Sequence, residues 1–482
     1  MILCNLAIAQ INTFSPYSRF GLGELNQNTF AHNQAMAGTC IALKPDSLFP
    51  IMINTGNPAS YSLIKFATFE VGGNFKTSYF SSNTAAQVTK WTTNFNYGTL
   101  GFPIRSRGGA AFGIMPYTNV GYNMQSKTDE PNIGNVSYNY AGEGGFNKVF
   151  VGYGLQPFKL SLAKFRTRQA KKITEGKAIS KGSYKFKETV NELASDFSIG
   201  FNANYIFGST VNYLDVRYPN SLLYYNTIRE RTVRVNDFTG NFGIQTGFTK
   251  DSIRVRRKDT NNVTVGSYKR VLNEKIKFVF GYYMALNNSI KARYDLVSYN
   301  YYLNGNGSIV PKDTILKSLD QNGKITLPLE QGFGIGIKKG EKLNIVMDYA
   351  ITDWSHFKMF DYANELKNNM RASVGFNYVP DKYVLGKGTY FKRTQYRAGA
   401  FYNSGYLDLN KTNVTTYGVS AGVSLPIGIR SGTGLMNLGV QYGVTGTKNN
   451  NLIQENFVRI NFGFTFNSTY LEDLWFRKFK YD

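Results

Sequence analysis

Few side chains in this 482-residue chain are of the kind that make or break bonds. Only two histidines occur, His32 and His356, about 320 residues apart. That separation excludes a site built from several histidine ligands, and no metal is expected. Ser355 stands beside His356, but neighbours on an extended strand point to opposite faces, so the pair predicts no nucleophile and base. Asp348 and Asp353 read as carboxylates of a lumen or a rim. No glycine-rich phosphate loop followed by Lys appears, and neither an enzyme nor a cofactor is expected. The two cysteines are Cys4 and Cys40. Residues 1–9 read as the remnant of a secretory signal peptide, with Ala7-Ile8-Ala9 as the cleavage motif. Cleavage there leaves Cys40 alone, with no disulfide framework.

The chemistry that is abundant is positive charge: 55 Lys and Arg stand against 31 Asp and Glu, a formal +24. More than half of that excess falls in three stretches. They are 159–196, with Arg166, Arg168, Lys171 and Lys172; 250–275, with Arg254, Arg256, Arg257 and Lys258; and 381–394. Nucleic acid is the usual partner of such an excess. In an exported protein it has two other readings: solvated ends of strands that overshoot a membrane, or a docking surface for a protein partner. No nucleic-acid partner is expected.

The elements that carry these residues follow from composition and period. Aromatic residues are 15% of the chain, with 34 Tyr and 36 Phe against 3 Trp, and glycine is frequent at 48. No apolar run approaches the ~18–20 residues of a membrane helix. In Phe457–Phe466 one face reads Val458, Ile460, Phe462, Phe464, Phe466 and the other Arg459, Asn461, Gly463, Thr465. Met370–Tyr378, Tyr417–Ile427 and Met436–Thr445 repeat the pattern. A period of two scatters apolar groups around a helix but gives a strand one lipid-compatible face. Runs of about 10–14 residues also suit a tilted bilayer crossing. Fourteen strands are expected, at 66–79, 90–103, 109–122, 145–157, 197–214, 231–249, 275–293, 325–338, 343–356, 369–379, 395–408, 414–427, 434–446 and 456–466. A sheet of that size in lipid must close. The expected fold is all-β: a transmembrane antiparallel β-barrel over 64–466. Residues 10–63 do not alternate and read as an N-terminal hatch, or plug, inside the barrel. Residues 467–482 read as a basic and aromatic tail in the periplasm, on the side of the three basic insertions.

Several motifs then resemble one family. Asn57-Pro58-Ala59, after Met36-Ala37-Gly38-Thr39, resembles the hatch signature of FadL-type transporters of hydrophobic compounds. Leu327-Pro328-Leu329, Asp348-Tyr349 and Trp354-Ser355-His356-Phe357 are similar to a later region of that family. Tyr396-Arg397 and Gly418 through Leu425-Pro426 are similar to its last strands. The resemblance implies an outer-membrane barrel with an internal hatch, taking up fatty-acid-like molecules passively and exposed to outer-membrane lipid. It also implies a lateral exit at a kink in the third strand, which falls at Gly113 and Pro116. Glycine permits a bulge there and proline lacks a ladder N–H. Inward positions such as Lys148, Asn202, Asn204 and Lys277 suit water better than an alkyl chain. The alternative is a non-transport accessory subunit of an outer-membrane complex for secretion or barrel assembly, docking through the basic insertions.

Overall fold

A computed structural model of the chain describes residues 12–27, 29–45, 52–104, 106–158, 181–219, 224–251, 275–360, 362–363, 366–382, 384, 386, 388–427 and 434–467. Fourteen antiparallel strands close on themselves. They are β1 (Thr68–Ser81), β2 (Val88–Ile104), β3 (Gly108–Glu130), β4 (Gly134–Leu155), β5 (Ser198–Arg217), β6 (Asn226–Asp251), β7 (Lys275–Ala285, continued by Ser289–Leu303), β8 (Ile309–Thr326, continued by Leu329–Lys339), β9 (Leu343–Asp353), β10 (Asn369–Tyr378), β11 (Gln395–Asn403), β12 (Thr416–Ile427), β13 (Gly434–Thr445) and β14 (Gln454–Asn467). Each pairs with its sequence neighbour, and β1 meets β14 in a ladder from Thr68↔Asn467 to Ser81↔Gln454. Closure pairs each strand on both sides over at least part of its length, and in the hydrocarbon an unpaired amide costs several kcal/mol by an order-of-magnitude rule.

The alternation read from the sequence is the wall's two faces. Phe95, Val151, Phe201, Phe238, Phe333, Val419 and Tyr442 are exposed on the outside. Their inward neighbours, such as Asn202, Asn241, Gln245, Asn437 and Asn461, are buried. So large an exposed apolar band is stable only against lipid. Among the described residues no helix is long and apolar enough to cross a membrane.

The strands differ from expectation in height. β3, β4 and β6 have 23, 22 and 26 residues, whereas β9, β10 and β11 have 11, 10 and 9. About ten residues cross a bilayer at a tilt, so β3 to β8 continue beyond it as a tall curved sheet on one side. β3 and β4 therefore overrun the expected 109–122 and 145–157. β8 begins well before 325 and breaks at Leu327-Pro328, where proline has no N–H for the ladder. β9 stops at Asp353 rather than 356, because Trp354–His356 turns as a 3₁₀ helix. The basic stretch 159–196 ends in a helix, Lys181–Asp196.

The described residues of 12–64 pack against the inner face of this wall. Helical turns form at Pro16–Arg19, Ala31–Gln34 and Pro58–Leu63. Phe30, Ile53, Tyr61 and Ile64 pack with the inward Tyr97, Met115 and Phe150. Inward glycines make room for the segment. A Cβ at Gly200 would lie 2.2 Å from Pro58 carbon, and one at Gly281 2.2 Å from the Ile41 oxygen. Added at Gly399 it would meet Met36, and at Gly422, Ala35. Strands on opposite sides of the barrel thus touch the same segment, which spans the lumen from wall to wall.

Candidate functional site

The side chains best placed to act are those joining this segment to the wall, and Asn57 is the most connected. It caps the turn Pro58–Leu63, its Oδ1 accepting the Ala59 N–H at 3.1 Å. Its Nδ2 faces three carbonyls: Ile41 at 2.8 Å in the segment, Tyr282 at 3.2 Å on β7 and Ile244 at 3.3 Å on β6. Pro58 fits the first turn because its missing N–H would be unsatisfied there anyway. Ala59 is fully buried. The three residues of the sequence motif therefore form an anchor, held against Gly200 and Gly243, with no reactive group among them.

A second set of anchors comes from inward polar groups on the wall. Asp348 Oδ2 accepts the backbone N–H of Cys40 at 2.6 Å and of Ile41 at 2.9 Å. Arg371 Nη2 donates to the Ala37 carbonyl at 2.9 Å, and Gln245 Nε2 donates to Ile41 at 2.8 Å. Glu70 accepts the Ile53 N–H at 2.8 Å. His32 lies 3.7 Å from Glu70, but burial and the nearby Arg397 charge hold its imidazole well below the ordinary histidine range, so it is neutral. Cys40 is buried and free, and burial pushes its thiol well up. Lys44 meets Asp196 of the helix at 2.9 Å; burial draws its ammonium down to about 8, with Asp196 opposing.

The wall itself is incompletely zipped at one seam. β2 and β3 pair only from Gly98↔Ile114 to Ile104↔Gly108, although β3 runs on to Glu130. Gly113 sits in the last stretch of that ladder, where a Cβ would lie 2.5 Å from the Gly98 oxygen. Beyond it the register with β4 shifts between Pro116 and Thr118. Residues 12–26 bridge the open part. Glu24 and Leu25 pair with Asn119 and Thr118 of β3, and Asn26 donates to the Tyr117 carbonyl at 3.0 Å. On the β2 side Asn94 donates to the Asn12 carbonyl at 2.8 Å, and Lys90 lies 5.5 Å from the Phe14 ring. Gly23 has φ +97°, and a side chain there would strike the Asn119 oxygen; only glycine takes that backbone without strain. Glu24 gathers Thr13 at 2.5 Å, Lys76 at 3.3 Å and Arg459 at 3.7 Å, and Lys76 reaches Glu455 at 2.8 Å.

Among the cavities lined by described residues, two are sizeable. One of about 250 Å³ lies between the segment and the wall, with Lys148, Glu330, Asp348 and Arg371 among its lining residues. The other, of about 550 Å³, lies above Ser18–Leu22 on the tall side.

Other sequence-level candidates separate. Asp353, Ser355 and His356 do come together on an exposed turn, since Ser355 is not on a strand. Asp353 and Ser355 both address His356 Nδ1, at 2.6 and 3.3 Å. An imidazole needs one nitrogen oriented and the other free to take a proton, so this arrangement is a capped turn, not a relay. Arg166, Arg168, Lys171, Lys172, Arg254, Arg256, Arg257 and Lys258 lie outside the described residues, as does the tail from 468. Among the described residues no group of His, Cys, Asp and Glu could hold a metal. Asp348 was read from the sequence as a lumen or rim carboxylate, whereas Arg371, Gln245, Glu70 and Glu24 were not singled out. For Arg371, Gln245 and Glu70 the available signal was a charge or amide on the inward face of a lipid-spanning strand; Glu24, in the N-terminal segment, had none.

A closed outer-membrane β-barrel of FadL-type fold, with its lumen crossed by its own N-terminal segment, is the class these features define. The chain belongs to the BamG family, whose model matches residues 1–163 and 248–482. Among solved structures it is similar to the Pseudomonas putida toluene transporter TodX, with 13% identity and a TM-score of 0.52 over 92% of this chain and 99% of that one. The Ralstonia pickettii toluene transporter TbuX and a Pseudomonas aeruginosa FadL homologue each align with 11% identity and a TM-score of 0.49, over 92% of this chain and 99% of theirs. No curated protein sequence matches the chain.

Proposed function

We propose that this chain is a non-transporting accessory subunit of an outer-membrane complex for protein secretion or barrel assembly, using a transporter-type barrel as a filled scaffold. The observation that carries the reading is the character of the lumen. Passive uptake of a fatty-acid-like molecule calls for an apolar pocket between hatch and wall. The cavity there sets two cations, two carboxylates and several amides among apolar residues such as Ile41, Ile206, Leu286 and Trp354, and an alkyl chain filling it would leave those charged groups away from water without compensation. Membership of BamG, a family not named for transport, supports the same reading. The basic stretches 159–196, 250–275 and 381–394 would dock the partner, and residues 12–63 would serve as a permanent plug rather than a gate.

The test is purification of the tagged protein from its own outer membrane in mild detergent, followed by native mass spectrometry. A stoichiometric protein partner is expected, lost when Arg254, Arg256, Arg257 and Lys258 are neutralised. A lone barrel carrying a bound lipid-like molecule would reverse the assignment.

A second reading, uptake of hydrophobic compounds, is favoured by the interrupted β2–β3 seam at Gly113 and Pro116 and by the TodX-like fold. It requires residues 12–26 to leave the seam. Uptake that persists at the parental rate after deletion of Asn57–Ala59, in a barrel that still inserts, would remove it.

A further inference from the structure

One edge of the tall sheet is open. The upper part of β8, Ile309–Thr326, pairs along one side with Ser289–Leu303 of β7. Along its other side, among the described residues, only Ile325 and Thr326 are paired, with Met359 and Lys358. The next strand of the wall, β9, ends at Asp353 and pairs only with the lower part of β8, Leu329–Lys339. The Phe360 N–H donates to the Lys324 carbonyl at 3.0 Å, and there the cover stops. Lys324 therefore turns its backbone outward, and by alternation so does Asn322. Higher up, Leu316 and Ser318 face their β7 partners Ser298 and Leu296, which turns Lys317 outward. Ile315, Leu316 and Leu319 are 58%, 46% and 49% exposed. β8 crosses the bilayer with Leu329–Lys339, so these side chains stand beyond the lipid that covers exposed apolar residues lower on the wall. An exposed edge with aliphatic side chains is a strand-pairing surface. Pro311 blunts its tip, and register shifts beside Thr314 and between Ser318 and Gln321 bend it. Leu316–Ser318 and Gln321–Lys324 nevertheless keep regular pairing with β7 and remain templates.

We propose that this open edge of β8 takes an extended segment of a partner protein, added antiparallel as the next strand of the tall sheet. A row of main-chain N–H and C=O groups is matched by another extended chain, with its aliphatic side chains against those of the edge. The chain itself shows the mode, since Lys358–Met359 adds antiparallel at the base of the same edge. A second copy would set one bent edge against another, bulge against bulge, whereas a separate segment can follow the bend. The inference rests on the reading of the chain as a subunit of a complex. It gives that subunit a docking edge on the side of the barrel opposite the helix Lys181–Asp196.

The test is photocrosslinking of the full chain in its own outer membrane, with p-benzoylphenylalanine placed at Leu316, Leu319 or Asn322 in turn and the linked peptides sequenced by mass spectrometry. All three positions are expected to reach one short segment of one partner protein. The linked residues should run backward along that segment as the probe moves from 316 to 322, as an antiparallel strand requires. Lys317→Pro and Asn322→Pro each remove an outward N–H that β7 does not use, so the barrel should stay folded and heat-modifiable. Each should lower the crosslinking yield at least about tenfold. Should the proline variants fail to fold, the order of the linked residues decides alone. Links to a second copy of this chain, links without the reverse order, or parental yields in both folded proline variants would overturn the proposal. A partner seen by native mass spectrometry but never linked from β8 would overturn it and leave the accessory-subunit reading standing. No partner by either method would remove both.

Discussion

Asp348 on β9 accepts the backbone N–H of Cys40 at 2.6 Å, which ties the barrel wall to the segment inside it at the one cysteine among the described residues. The bond makes the Cys40 thiol a reporter of how firmly the lumen is filled. In a Cys4→Ser background, Cys40 should react with a small maleimide far more slowly than an exposed thiol, since it is buried and its thiolate is disfavoured. Asp348→Asn leaves the wall intact but offers the two N–H groups a weaker acceptor, and labelling should accelerate by about tenfold or more. Rapid labelling of the parent protein would mean the segment does not stay packed.

Asn57 should tolerate no replacement. Asn57→Ala removes one cap acceptor and a donor shared among Ile41, Ile244 and Tyr282. The cost expected for leaving these buried groups unpaired is about 1–3 kcal/mol. Asn57→Asp keeps the cap but offers a charge where a donor is needed, so it should be no better. The measurement is limited proteolysis of the folded barrel in detergent. Both variants should be cut within residues 12–63 sooner than the parent, with the barrel fragment surviving. Parental resistance in either would show that the motif is not an anchor.

The inward glycines predict a position-specific intolerance to one methyl group. Gly200→Ala places carbon within 2.2 Å of Pro58 backbone, whereas Gly305→Ala meets nothing within 4 Å. The first should lower the yield of heat-modifiable, folded barrel in the membrane several-fold, and the second should match the parent. Equal yields would mean that the segment yields readily to the wall.

Glu24 should control the seam. Glu24→Gln removes the charge on which Lys76 and Arg459 converge, while Lys76 retains Glu455. Hydrogen–deuterium exchange of residues 20–26 should then quicken by about tenfold or more, as their bonds to β3 open without global unfolding. Exchange confined to parental rates would show that the two-residue ladder at Asn119 and Thr118 holds alone.

The sequence by itself determined the fourteen crossings and the face each residue takes. Val458, Ile460, Phe462 and Phe464 had to point one way and Arg459, Asn461 and Gly463 the other, because a strand alternates whatever it packs against. That no site could be built from several histidines was equally legible, since His32 and His356 are the only two. Height was not legible. The residues of β3 and β4 beyond the membrane alternate less strictly, because both of their faces meet water or protein rather than lipid. Nor could period alone show that the alternation ends at Trp354, which closes a turn that brings Asp353, Ser355 and His356 together. Only the tertiary structure decided which inward glycine receives Pro58 and which carbonyls Asn57 serves. It alone brought Lys148 and Arg371 together with Glu330 and Asp348 around one cavity. Those relationships join residues hundreds of positions apart through barrel closure and register, and no local rule of period or propensity carries that information.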